Sequence, residues 1–151
     1  MSLRQQLDDD VKAALLTGDA PRVETLRGLK SVILYADVAA KKRADGGIPD
    51  DEILNLFAKE AKKRQESAVL YVRGGSQERA DKELAEKAII ESYLPERLST
   101  DELVKIIDTV IAEQQAEGVQ AMGKVIGAVK AQTGNRADGA QIAALVKERL
   151  V

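Results

Sequence analysis

The chain has no cysteine, no histidine and no tryptophan, and holds only three prolines, three tyrosines and one phenylalanine in 151 residues. Without cysteine there can be no disulfide, no thiolate nucleophile and no thiolate metal site. Without histidine the commonest general base, the Ser–His pairs and the usual transition-metal ligand are all missing. A ferritin-like di-iron centre would need Glu-x-x-His motifs, so that pattern is broken as well. Tyr35, Phe57, Tyr71 and Tyr93 are too few and too scattered to make a platform on which bases stack. No apolar run approaches the ~20 residues of a membrane span, and the opening Met1 to Asp10 lacks the apolar core of a signal peptide. The expectation is a cytoplasmic protein with no membrane partner and no cofactor.

Charge of one sign is also lacking. There are 23 basic and 25 acidic residues, a formal net charge of −2. A near-neutral total gives no global pull toward nucleic acid, so no DNA partner is expected, and any affinity for RNA must come from a local patch.

What the chain does have is 44% hydrophobic residues, mostly Leu, Ile, Val and Ala, and 32% charged ones. That balance, with few prolines, fits long solvated helices. Ser2 and Gln5 make a capping-box start, and Leu3, Leu7, Val11, Ala14 and Leu15 mark one helical face ending at Thr17-Gly18. Pro21 suits the first turn of a second helix. Its apolar positions Leu26, Leu29, Ile33, Ala36 and Ala40 step by three and four, and it ends in Lys41-Lys42-Arg43. Asp45-Gly46-Gly47 reads as a flexible connector. Pro49 to Glu52 opens a long third helix with the stripe Ile53, Phe57, Ala61, Arg64, Ala68 and Tyr71. Gly74-Gly75 stops it, and a fourth helix runs through Leu84, Ala88 and Ile89 to Ser92.

Pro95 disfavours helix in the residue before it, which sets a boundary at Tyr93 to Leu98. Beyond it Ser99 and Glu102 form a second capping box, followed by the apolar face Leu103, Ile106, Ile107, Val110 and Ile111 and an end near Gly118. Met122, Val125, Ile126 and Val129 then mark one short helix, and Ile142, Leu145, Val146 and Leu150 another. Gly134 suits the left-handed stop between them, and Asp138 with Gln141 reads as an N-cap with its reciprocal partner. The reading is all-α: an N-terminal lobe of about four helices over residues 1–94, then a three-helix lobe over 95–151.

The stretch Met122 to Leu150 carries Lys124, Lys130, Arg136, Lys147 and Arg149 against Asp138 and Glu148, so 5 − 2 = +3. Gly123 and Gly127 stand four apart and bare a strip of helix backbone. Either another helix of the same bundle packs there, or a phosphate backbone does, with Lys124 and Lys130 beside it. Elsewhere Lys41 to Arg43 and Lys59 to Arg64 read as solvated helix faces, and Arg27 and Lys30 as partners of Glu24 or of acids on a neighbouring helix. The carboxylates of Asp8 to Asp10, Asp50 to Glu52, Glu113 and Glu117 lie mostly in first turns of helices, where capping accounts for them. No catalytic constellation emerges.

Four stretches also carry a family likeness. The order L-R-G-L-K-S (Leu26 to Ser31), K-E-A-K-K-R-Q-E-S (Lys59 to Ser67), Y-L-P-E-R-L-S (Tyr93 to Ser99), and then G-K-V-I-G-A-V-K with G-N-R-A-D-G resembles the YqeY-like proteins over essentially the whole chain. The tail is similar to the C-terminal domain of the B subunit of the glutamine-dependent aminoacyl-tRNA amidotransferase. The resemblance implies an all-helical lobe followed by a small three-helix lobe. It also implies an association with carbon–nitrogen ligase chemistry that uses glutamine as amide donor. In the amidotransferase the related tail contacts the tRNA body while chemistry happens elsewhere, and the catalytic cradle that precedes it there is missing here. The expectation is therefore a tRNA-binding or amidotransferase-associated module with no catalysis of its own. Gly123, Lys124, Gly127, Lys130, Arg136 and Lys147 are its candidate RNA-facing residues. An adaptor of the translation machinery, working through apolar stripes of the N-terminal lobe, is the alternative.

Overall fold

A computed structural model describes residues 1–42 and 45–151. All its regular elements are helical, with no strand among the described residues, and it falls into two units, Met1–Leu94 and Pro95–Val151. No helix among the described residues is long and apolar enough to cross a membrane.

In the first unit, Ser2 and Gln5 exchange side-chain and backbone hydrogen bonds to start α1 (Leu3–Thr17), and Gly18 ends it in the left-handed conformation. Asp19 accepts from the Arg22 backbone N–H and Pro21 lies in the first turn of α2 (Ala20–Ala39). Three acids open α3 (Asp50–Arg73), where the helix dipole favours them, and α4 is Gln77–Glu91. Leu3, Leu7, Val11, Leu26, Leu29, Ile33, Ile48, Ile53, Phe57, Ala61 and Ile90 form one apolar core. Phe57, the lone phenylalanine, is fully buried and meets Tyr93 edge to face, with centroids 5.9 Å apart.

Several readings of this unit are corrected. Leu15 is exposed, because the α1 face narrows to Leu3, Leu7, Val11 and Ala14. On α4 the buried residues are Ala80, in its first turn, and Ile90, in its last, whereas Leu84 and Ala88 between them are exposed. The α2 helix stops at Ala39, with Lys41 at φ +56°, so the basic trio follows the last turn instead of occupying it; Arg43 lies outside the described residues. Gly47 is no slack connector. At φ +89°, its N–H donates to the Lys42 carbonyl at 2.8 Å, and a Cβ there would lie 2.2 Å from Arg4 Nη2.

In the second unit, the Ser99–Glu102 capping box starts α5 (Thr100–Gln114). The helix stops short of Gly118 because Gln115 turns left-handed, at φ +50°. One 3-10 turn, Val119–Ala121, leads into α6 (Met122–Thr133), and another, Gly134–Arg136, precedes α7 (Gly139–Leu150). Leu103, Ile107, Val110, Val125, Val129, Ile142, Val146 and Leu150 make a separate core. The Leu98 N–H donates to the Arg136 carbonyl at 2.9 Å, tying the entry of the unit to the α6–α7 turn.

Candidate nucleic-acid interface

The apolar side of α6 buries Val125, Val129 and Thr133, each four residues after the last, and leaves the opposite side outside. On a helix turning about 100° per residue, Gly123, Gly127 and Ala131 fall on one strip, with Lys130 along one margin and Lys124 along the other. All five are exposed. A Cβ added at Gly123 or Gly127 would meet nothing within 4 Å. No helix of this unit packs on the glycines, so the intramolecular reading of the strip is set aside. What remains is a bare helical backbone bordered by two lysines whose Cα atoms stand about 9 Å apart along the axis.

Lys130 is placed by α7. A Cβ on Gly139 would lie 3.3 Å from Lys130 Cε and Nζ, so the missing side chain there makes room for the lysine over the first turn of α7. Asp138 occupies the N-cap of α7 in extended conformation but gives no side-chain cap hydrogen bond. The reciprocal box read from Asp138 and Gln141 does not form. Gln141 instead donates from Nε2 to Thr100 Oγ1 at 3.3 Å, reaching α5. Gly134 does take a positive φ, +53°, with ψ −126° outside the ordinary left-handed helical region.

The other candidates are spread. Arg136 donates from Nη2 to the Gln132 carbonyl at 3.3 Å, covering the carbonyl end of α6 while its own carbonyl holds Leu98. It is part of the turn's scaffold as well as a cation beside the strip. Lys147 is exposed in the last turn of α7, about 12 Å along the axis from Gly139. Arg149 is taken up by Asp108 at 2.6 Å. Lys124, Lys130 and Lys147 take no part in that pair.

Charge in this unit is segregated. Residues 95–121 hold Arg97 and Lys105 against Glu96, Asp101, Glu102, Asp108, Glu113 and Glu117, so 2 − 6 = −4, whereas residues 122–151 sum to +3. The basic excess therefore sits on the α6–α7 part, around the bare strip. Ammonium groups flanking accessible backbone are suited to an extended polyanion.

Sequence reasoning missed a second polar centre, in the first unit. Arg4 pairs with Asp37, which is only 5% exposed and also accepts the Ile48 N–H at 2.8 Å. The signal was available: Asp37 follows Ile33 by one turn on the buried side of α2. The hydrogen bond to Asp37 is the main cause that raises the Arg4 guanidinium above its ordinary value. Arg64, at the edge of the α3 stripe, draws together Glu60 at 3.0 Å, Glu86 at 3.0 Å and Glu83 at 3.7 Å, fastening α4 to α3. Lys30 finds Asp8 of α1 at 2.6 Å. These are ties between helices. No group of three or more acidic side chains among the described residues converges as a metal site would require.

These features define an all-helical protein of two small units, one of them carrying an accessible basic helix face. The family model for YqeY-like proteins matches residues 4–150, and the chain belongs to that family. A comparison with curated proteins finds no match.

Proposed function

We propose that the protein is a tRNA-binding helical module, a non-catalytic companion of aminoacyl-tRNA amidotransferase or translation proteins, working in the cytoplasm. The observation that carries this reading is the exposed Gly123–Gly127 strip of α6, open on its outer side and bordered by Lys124 and Lys130. Phosphates approach the strip, Lys124 and Lys130 neutralise them from either margin, and Arg136 and Lys147 extend the basic surface. Recognition rests on backbone shape and charge, since no aromatic residue lies in this unit to stack on bases. The likeness of the tail to that of the amidotransferase B subunit makes tRNA the favoured polyanion.

The test is binding of purified total tRNA as a function of salt. Three or four phosphate contacts give a slope of log affinity against log salt of roughly −2 to −4. Lys124→Glu combined with Lys130→Glu should flatten that slope and weaken binding at every salt concentration. Unchanged affinity in the double variant would remove α6 as the site, and no binding of the wild type at low salt would remove RNA altogether.

A further inference from the structure

The turn from α1 into α2 leaves a gap. Ala14, Gly18 and Ala20, with one side-chain carbon or none, line it, and a hollow of about 480 Å³ opens between the two helices. Sites for small molecules commonly span about 300–1,000 Å³. Ala14 and Val23 are buried beneath it, and Leu15, 52% exposed and out of reach of the core, forms a wall. Glu24 and Arg27 complete the lining. Each stands one turn along α2 from an apolar residue of the hollow, Glu24 after Ala20 and Arg27 after Val23.

Glu24 and Arg27 are three residues apart, which brings their Cβ atoms to about 5–6 Å. The pairing that this spacing suggests does not form. Both side chains are exposed, and among the described residues neither enters an ion pair or a side-chain hydrogen bond. Lys30, further along α2, is by contrast taken up by Asp8 at 2.6 Å. The rim of the hollow thus keeps one carboxylate and one guanidinium side by side, each with its hydrogen-bonding capacity unspent, over an apolar lining.

We propose that this hollow is a binding site for a small zwitterion with an apolar tail, of the chemical class of the free aliphatic α-amino acids. Charge complementarity selects the class. A simple carboxylate at Arg27 would face the like charge of Glu24, and a simple amine at Glu24 would face that of Arg27. A zwitterion satisfies both, its ammonium donating to Glu24 and its carboxylate accepting from Arg27. In an α-amino acid the two groups branch from one carbon, so once they are held the third substituent is aimed at one place. That place is the hollow, where Leu15, Val23 and the two alanines meet an aliphatic side chain. A rim of zero net charge offers no pull on a polyanion, and the site stands apart from the tRNA reading.

The test is an NMR titration of the full-length chain with L-leucine. Amide resonances between Ala14 and Arg27 should shift and saturate, with a dissociation constant on the order of 0.1–1 mM for so small a ligand in an open site. Glycine carries the same charges without the tail and should bind at least about tenfold more weakly, since each buried methylene is worth about fourfold. N-acetylleucine and leucinamide each lack one charge and should lose about tenfold or more. Arg27→Gln and Glu24→Gln should each weaken leucine by a similar factor, and Ala20→Leu, which fills the hollow, should abolish binding. The comparisons among ligands use the wild-type chain, so they decide the matter even if a variant loses helicity by circular dichroism. No saturable shift up to about 50 mM leucine would overturn the proposal. So would glycine or N-acetylleucine binding as tightly as leucine, or full affinity in folded Arg27→Gln and Glu24→Gln.

Discussion

Arg4 donates from Nη1 and Nη2 to the two carboxylate oxygens of Asp37, each at 2.8 Å, across 33 positions of sequence. The same guanidinium donates to the Ile48 carbonyl at 3.0 Å, and Asp37 Oδ1 accepts the Ile48 N–H. Three segments thus meet at one ion pair: the first turn of α1, the last turns of α2, and the chain entering α3. Removing one partner of a buried pair leaves the other uncompensated and costs about 3–5 kcal/mol, and partial exposure of Arg4 brings the expected loss nearer about 3 kcal/mol. Asp37→Ala should lower stability by that amount in urea unfolding. Arg4→Lys should recover little of the Arg4→Ala loss, since a point charge cannot make the paired contact.

Gly47 should be as sensitive as the pair it packs on. At φ +89° a side chain is strained, and a Cβ would lie 2.2 Å from Arg4 Nη2 and 2.7 Å from Asp37 Oδ1. Gly47→Ala is expected to cost about 2–3 kcal/mol, part from the backbone and part from displacing the ion pair. The two parts separate in a double-mutant cycle. In an Arg4→Ala background the same substitution should cost measurably less, because the nearest clashing atoms, those of the Arg4 guanidinium, are gone and only Asp37 Oδ1 remains. Strict additivity would mean that the strain is all in the backbone.

Tyr93 gives the first unit an alkaline limit. Burial, then its hydrogen bond to Asp10 and the charge of that carboxylate, raise the phenol above its ordinary value. The folded chain holds this proton where the unfolded chain, at about pH 10, releases it. The stability so gained is present in full below about pH 10 and drains away as pH climbs further, toward the raised folded value. Tyr93→Phe should be less stable than wild type at pH 8 by about 1 kcal/mol. Its deficit should narrow as the pH is taken above about 10, which chemical denaturation at a series of pH values would show.

The parts of this structure that were legible in the sequence are those written in local code. Ser2 with Gln5 and Ser99 with Glu102 close their boxes, and Ile53, Phe57, Ala61 and Ala68 face inward as their spacing requires. What escaped depends on neighbours that spacing does not name. Leu15 fits its stripe by angle, yet it lies out of reach of the core. Ile90 is buried in place of Leu84 because the end of α4, and not its middle, meets Phe57 and its neighbours. Asp37 went unread on the buried side of α2, because its meaning comes from Arg4 on another helix. On α6 the glycine pair was visible, but whether a helix or open space lay beyond it was a tertiary fact.

The α6 glycines should separate stability from binding. Both sit in a helix interior, exposed, with room for a Cβ. Glycine at such a place costs roughly 0.5–1 kcal/mol relative to alanine, through the backbone freedom lost on folding. Gly123→Ala with Gly127→Ala should therefore stabilise the second unit by about 1–2 kcal/mol, seen as a raised urea midpoint at unchanged slope. If the strip exists for close approach of a phosphate backbone, the same variant should bind tRNA more weakly even though it is the better-folded protein. Larger side chains at both positions, as in Gly123→Leu with Gly127→Leu, should deepen that loss while the helix holds. Stabilisation with tRNA affinity intact would mean that the two lysines act from the margins alone and that the bare backbone between them is not part of the contact.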